Sequence, residues 1–124
     1  MLYAILCYND ENVVQCWSPE EDAATMERLG KVEKRMTAEG KLGPVARLLP
    51  TPTAKTIRKR GHEQFLLDGP FAETKEQFLG FFVIDVEDMD EAVAVTRQFA
   101  EANPGTGAYE IRPVMVYHPD ERQP

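Results

Sequence analysis

Two runs of this chain, Leu2–Tyr8 (LYAILCY) and Leu79–Val86 (LGFFVIDV), are apolar almost throughout. They limit what it can fold into more than any other feature. A strand with one face in water alternates apolar and polar residues, so a short unbroken apolar run reads as a strand buried on both faces. Leu79, Phe81 and Val83 point one way along the second run, and Phe82 and Ile84 point the other. In the first, Leu2, Ala4 and Leu6 oppose Tyr3, Ile5 and Cys7. A third run, Tyr109–Tyr117 (YEIRPVMVY), sets Ile111, Pro113, Met115 and Tyr117 against Val114 and Val116. Each of these strands needs cover on two sides.

Two amphipathic helices supply one of those covers. Ser18-Pro19-Glu20-Glu21 is a helix start, with Ser18 as cap, Pro19 in the first turn and Glu21 completing a capping box. Met26, Leu29, Val32 and Met36 follow at three- and four-residue steps, and Gly40 is a stop, which predicts a helix over 19–39. Trp17, next to the cap, reads as a staple-like packing residue. Asp88, with Glu91 three residues on, starts a second helix. Its apolar face is Ala92, Val93, Thr96, Phe99 and Ala100, and Asn103-Pro104-Gly105 ends it. Before the first helix, Asn9–Asn12 ends the first strand as a polar turn. Val45–Leu49 and Ala54–Arg58 read as short strands split by Pro50-Thr51-Pro52, whose missing donors suit an edge hairpin. Gly61-His62 is a further turn, and Gln64–Leu67 a further strand. The order gives an α+β fold, a ferredoxin-like split βαβ with an inserted hairpin. Its antiparallel sheet carries both helices on one face. The other face needs a second copy, sheet against sheet, so a homodimer is expected.

Length and charge narrow the function classes. The chain has 124 residues, enough for one domain, read as 1–118 with a polar tail over 119–124. Its formal net charge is -7, and the one dense basic cluster, Lys55, Arg58, Lys59 and Arg60, sits in this acidic chain. A phosphate-dominated interface needs a basic face, so nucleic acid is not the expected partner. No apolar run approaches the ~18 residues of a membrane span. Met1–Tyr8 lacks the basic region and cleavage site of a signal peptide. Cys7 and Cys16 are too few for a disulfide framework or a structural zinc site, so reduced thiols in a cytoplasmic protein are expected. His62 and His118 have no ligand partner at metal spacing. No phosphate-binding glycine loop and no nucleophile–histidine set is readable, so neither cofactor nor metal is expected.

Asp68–Glu76 (DGPFAETKE) stands out between two apolar strands. Asp68 can accept bonds from the backbone of the turn it starts, Gly69 and Pro70 set the chain direction, and Phe71 can anchor the loop to the core. Glu73, Thr74 and Lys75 place a carboxylate, a hydroxyl and an ammonium close together. Two readings stay open. Asp68, Glu73 and Lys75 line a pocket and do acid/base work, or they stabilise a structural loop. Arg112 on the last strand either faces a barrel interior and binds an anion by its planar fork, or pairs with Glu73 or Asp68. Tyr8 either presents its hydroxyl to a pocket or packs at a strand end.

This segment, with the apolar strand and IDVEDMDEA after it and EIRPVM near the end, resembles the signature of the DGPF group of YCII-related proteins. The likeness runs from LYAILCYND through SPEE to RPVMVY. It implies a dimeric α/β barrel of two ferredoxin-like subunits. It also implies bacterial, cytoplasmic proteins of largely undefined biochemical role, often encoded beside extracytoplasmic-function sigma factors. The wider superfamily includes monooxygenases and isomerases, so fold alone names no reaction. Narrower members carry a histidine in the first turns of helix one, proposed to work with an aspartate near the end of helix two. This chain has Glu20, Glu21, Asp22, Ala23 and Ala24 in those turns, and Asn103 with no aspartate in the second region. A His–Asp mechanism is therefore not carried over. The first expectation is a non-enzymatic, regulatory or binding module for a small anionic ligand or a protein partner. The alternative is an isomerase, lyase or cofactor-free oxygenase with Asp68 or Glu73 as base and Arg112 or Lys75 as anion holder. A third is a structural partner of a transcription regulator.

Overall fold

The computed structural model describes residues 1–103 and 105–119. Strand β1 (Leu2–Asn9) leads into a short helix α1 (Glu11–Gln15), then the long helix α2 (Pro19–Ala38) and strand β2 (Leu42–Arg47). A 3₁₀ turn over Thr51–Thr53 precedes β3 (Lys55–Arg60) and β4 (Glu63–Asp68). β5 (Gln77–Asp85), α3 (Met89–Ala102) and β6 (Ala108–Pro113) complete the described elements. The main sheet has the order β2-β5-β1-β6, with every pairing antiparallel. That is the strand order of the split βαβ motif, with β1 and β5 in the centre.

The two long helices start where side chains satisfy free backbone donors. Ser18 Oγ accepts from the Glu21 N–H at 3.1 Å, and Asp88 Oδ1 from the Glu91 N–H at 2.9 Å. The return half of a capping box is missing at Asp88, because Glu91 accepts from Glu87 N–H instead. One face of each helix then packs on the sheet. Tyr3, Ile5, Phe82 and Ile84 from the sheet meet Val32 and Met36 of α2 and Val95 and Phe99 of α3. The Phe82 and Phe99 rings stack with centroids 4.3 Å apart. Register places Ile5 opposite both Phe82 and Ile111, which joins the three strands in one apolar layer.

The opposite face carries Leu2, Ala4, Leu6 and Phe81, all half-buried. Ala4 pairs with Val83 and Arg112, and Leu6 with Phe81 and Glu110. The expected two-faced apolar character is therefore present, and no helix of the described chain covers this side. The sheet is open: β2 and β6 are its edges and it closes no barrel within one chain.

Three details differ from the sequence reading. The Asn9–Asn12 turn continues into α1, capped by Asp10, whose carboxylate accepts from Asn12 N–H at 2.9 Å. A five-residue helix carries no readable apolar periodicity; tertiary bonds hold it, with Glu11 accepting from the Thr51 N–H and hydroxyl, both at 2.8 Å. The strands on either side of the prolines form no hairpin. Val45, Ala46 and Arg47 pair with Phe82, Phe81 and Gly80, while β3 pairs with β4 in a separate ribbon. The prolines and the 3₁₀ turn carry the chain out of the sheet, and the two-residue Gly61-His62 turn, with Gly61 at φ 63°, joins the ribbon. The last strand stops at Pro113, short of Tyr117. Its partner β1 begins at Leu2, whose carbonyl accepts the last ladder bond from Val114 N–H at 2.9 Å. Most of the expected tail, 120–124, lies outside the described residues, as does Pro104. Among the described residues no helix is long and apolar enough to cross a membrane.

Candidate functional site

A cavity of about 140 Å³ lies between α2 and the sheet, at the end of the core nearest Asn103. Cys7 of β1, Gly80 and Phe82 of β5 and Tyr109 of β6 line it from the sheet side. Strand alternation puts these residues together: Cys7 is opposite both Gly80 and Tyr109. Helix α2 adds Met26, Leu29 and Glu33, spaced three and four residues apart on one helix face. Gly80 leaves no room for a side chain, since a Cβ there would sit 2.2 Å from the Ala46 carbonyl oxygen.

The polar end of the cavity is an amide–phenol pair. Asn103 Nδ2 donates to Tyr109 Oη at 2.7 Å. Asn103 Oδ1 is buried and has no hydrogen-bond partner among the described residues. Such an atom calls for explanation, because an unpaired buried polar group costs roughly 1–3 kcal/mol. Asn9, close by, offers a contrast. Its carboxamide donates to the Thr106 carbonyl at 2.9 Å and accepts from Asp10 N–H at 2.8 Å, so it is satisfied as a structural tie. Asn103 is held in place from behind: Arg28 Nε donates to the Ala102 carbonyl at 2.9 Å, joining α2 to the end of α3.

Burial keeps the two titratable groups at this end neutral. It pushes the Cys7 thiol up from 9.0 to about 12. A thiol this far from its thiolate is a poor nucleophile. Burial also raises the Tyr109 phenol, with the Asn103 bond opposing the rise and Cys7 adding to it. The mouth is marked by Trp17 and Arg47, which also line an adjoining outer groove of about 620 Å³. Arg47 lies 3.6 Å from the Asp22 carboxylate and 3.6 Å from the Met26 sulfur. A hydrophobic staple for Trp17 would need an apolar residue at the fourth helical position, and Asp22 stands there; Trp17 serves as a wall of the cavity instead.

The residues singled out in the sequence lie elsewhere, and the structure does not bring them together. Asp68 pairs with Lys55 across the ribbon at 2.6 Å, both largely exposed. The turn's own bonds run from Gly69 N–H to the Ala54 carbonyl at 2.7 Å and from the Thr56 hydroxyl to the Gly69 carbonyl at 2.8 Å. Glu73 and Lys75 are exposed. Phe71, expected to reach the core, is 73% exposed and lies under the Arg58 guanidinium at 5.4 Å. Arg112 sits on the uncovered sheet face, 4.0 Å from Glu110, and its pairing there is with neither Asp68 nor Glu73. Tyr8 packs against Phe78 with centroids 5.6 Å apart. With Phe71 and Thr74 it borders a hollow of about 460 Å³ beside the DGPF loop. Among the described residues, no three His, Cys, Asp or Glu side chains gather as a metal site would require.

The sequence model of the YCII-related domain matches residues 1–118, nearly the whole chain. The chain belongs to the YCII-related family. An uncharacterized protein of Rhizobium meliloti is 54% identical to it over 121 residues, 98% of each chain. In this YCII-related chain, no sequence motif marks Asn103, Tyr109, Leu29 or Arg47 as site residues, and local pattern alone makes Cys7 and Trp17 packing residues. The usable signals were positional. Strand alternation puts Cys7 and Tyr109 on the helix-covered face, and an i, i+4 step puts Leu29 and Glu33 on the α2 face above them.

Proposed function

We propose that this YCII-related protein is a small-ligand-binding or regulatory module that works as a homodimer and holds its ligand between α2 and the sheet. The cavity carries this reading: a mostly apolar space with a few convergent polar groups is the usual form of a small-molecule site. The dimer follows from the uncovered sheet face. Burying Leu2, Leu6 and Phe81 against their copies contributes about 1.5–3 kcal/mol for each large side chain, enough to drive association. In that arrangement Arg112 points into the interface and supplies a cation for an anionic group. Regulation would follow if occupancy alters how the dimer meets a protein partner, and the family resemblance makes an extracytoplasmic-function sigma factor system the first place to look.

The enzymatic alternative, an isomerase, lyase or cofactor-free oxygenase with Asp68 or Glu73 as base and Lys75 or Arg112 as anion holder, needs a second subunit to close the DGPF hollow. In one chain those side chains stand in solvent. The absence of a thiolate at Cys7 favours binding over covalent chemistry in the α2 cavity.

Two measurements test the proposal. A panel of small neutral and anionic compounds should include some that raise the unfolding temperature of the native protein and not of Cys7→Leu, whose added carbons occupy the cavity. Equal shifts in both proteins would place binding elsewhere. Sedimentation velocity at micromolar concentration should show a dimer that Leu6→Asp dissociates, and a native monomer would remove the sheet-to-sheet argument.

A further inference from the structure

We infer that the α2 cavity selects a single-ring molecule bearing one hydroxyl group, of the phenol class, with the hydroxyl at the Asn103–Tyr109 pair. The inference rests on the ligand-binding reading above and adds the chemistry of the occupant.

Size sets the first limit. A cavity of about 140 Å³ is close to the ~150 Å³ of an engineered apolar cavity that binds benzene. One six-membered ring fills that space, and a larger molecule would extend through the mouth into the outer groove. The walls set the second limit. Cys7, Leu29 and Phe82 offer apolar or weakly polar surface, and Cys7 carries no charge below about pH 12. Arg47 at the mouth is already beside the Asp22 carboxylate at 3.6 Å. The Glu33 carboxylate also lines the cavity and repels an anion, whose partial desolvation no free cation among the described lining residues offsets, so the ring is neutral.

The polar end then specifies the substituent. Asn103 Oδ1 has no partner among the described residues and needs a donor. The Tyr109 oxygen accepts from Asn103, so the phenol's own proton is not used in that bond and needs an acceptor. A hydroxyl is the smallest group that donates to the first and accepts from the second. It also serves either orientation of the Asn103 amide, since exchanging oxygen and nitrogen exchanges an unpaired acceptor for an unpaired donor. A methyl group of similar size does neither, and leaves both polar groups unpaired.

The chain has one tryptophan, Trp17, and it lines the cavity, so the protein carries its own reporter. Phenol and toluene are the probes, being near-isosteres that differ in the hydroxyl. The Trp17 indole resonance of the intact protein is followed as each is titrated. Phenol should give a saturable shift and bind roughly thirtyfold tighter than toluene, the ratio expected of two neutral hydrogen bonds at ~1 kcal/mol each. Asn103→Leu should bring the ratio near one, Asn103→Asp should restore a preference for phenol, and Cys7→Leu should abolish binding of both. Circular dichroism of each variant confirms that it is folded before its ratio is read. Equal binding of phenol and toluene to the native protein would overturn the hydroxyl requirement and leave the cavity as a ligand site. Failure of both to bind would overturn the cavity reading itself, and with it this inference. An unchanged phenol preference in folded Asn103→Leu would remove Asn103 from the site.

Discussion

The Asp68–Glu76 segment and the cavity beneath α2 hold their polar groups in opposite surroundings. The segment concentrates three carboxylates, a hydroxyl and an ammonium in nine consecutive residues, and all of them face solvent. The cavity draws on β1, β5, β6, α2 and the end of α3, and at its polar end Asn103 Oδ1 is withdrawn from water. In the segment, the visible bonds close the loop's own turns: the Thr74 hydroxyl donates to the Glu76 carbonyl at 2.6 Å, and Gln77 Nε2 donates to the Thr74 carbonyl. The Lys55–Asp68 pair is screened by the solvent around it. In the cavity, the Asn103 amide and the Tyr109 phenol act at lower dielectric, where an unpaired atom is costly and therefore selective. Density of chemistry-bearing residues in sequence is thus a poor guide to where chemistry is strong. Burial decides, and burial is assembled from residues far apart in the chain.

The sharpest way to break this contrast is to remove the cavity's floor. Gly80→Ala places a methyl group 2.2 Å from the Ala46 carbonyl oxygen, backbone that cannot swing aside. Strand β2 must then leave β5 at its Arg47 end. The expected loss is about 3 kcal/mol or more of unfolding free energy in a urea titration. A native-like midpoint would show that the β2–β5 approach is looser than described, and that the cavity wall with it is adaptable.

A second test uses pH, because burial at the cavity raises the Cys7 thiol and the Tyr109 phenol. The unfolded chain releases the Cys7 proton near 9.0, and the folded chain holds it to about 12. Between these values the folded state binds more protons than the unfolded state, so stability falls as pH rises. The contribution is complete below 9.0 and lost above about 12. A three-unit shift corresponds to about 4 kcal/mol in full, of which roughly 3 kcal/mol is lost by about pH 11, and the raised Tyr109 phenol adds in the same direction. Urea midpoints at about pH 8 and about pH 11 should differ more in the native protein than in Cys7→Ala. Equal slopes in both would mean that the thiol is open to water, and the cavity less enclosed than its lining suggests.

Legibility in the sequence divides along the same line. Helices α2 and α3 were readable because Ser18 and Asp88 are local caps followed by local apolar periodicity, and the structure starts both helices there. The central strands were readable from unbroken apolar runs. What escaped was set by distant partners. Helix α1 depends on Glu11 meeting Thr51, forty residues away. Strand β2 was given to a hairpin because its partner β5 lies across the whole ribbon in sequence. The family could be recognised from DGPFAETKE, yet in one chain that motif borders a different hollow from the cavity. Asn103 looked like a helix stop, which it is. Only the approach of β6 to the end of α3 gives its side chain a second role beside Tyr109.

The smallest expected effect lies on the exposed side of the comparison. The sequence alone gives Asp68 the part of a turn cap, and Asp68→Asn would then cost appreciable stability. In the structure the carboxylate accepts from Lys55 Nζ at 2.6 Å, with 87% of the Asp68 side chain and 66% of the Lys55 side chain exposed, and the adjacent turn is bonded through backbone groups of Gly69. An exposed ion pair of this kind contributes about 0–1 kcal/mol, and asparagine keeps a hydrogen-bonding oxygen in place of the carboxylate. Asp68→Asn should therefore shift the urea midpoint by an amount equivalent to about 0.5 kcal/mol or less, and less still in high salt. A loss several times larger would show that the ribbon carries a buried role for this carboxylate, which a second subunit resting on the DGPF loop would provide. Repeating the measurement across a range of protein concentrations separates the two: a cost that grows on dilution belongs to the dimer, and a cost that does not belongs to the ribbon itself.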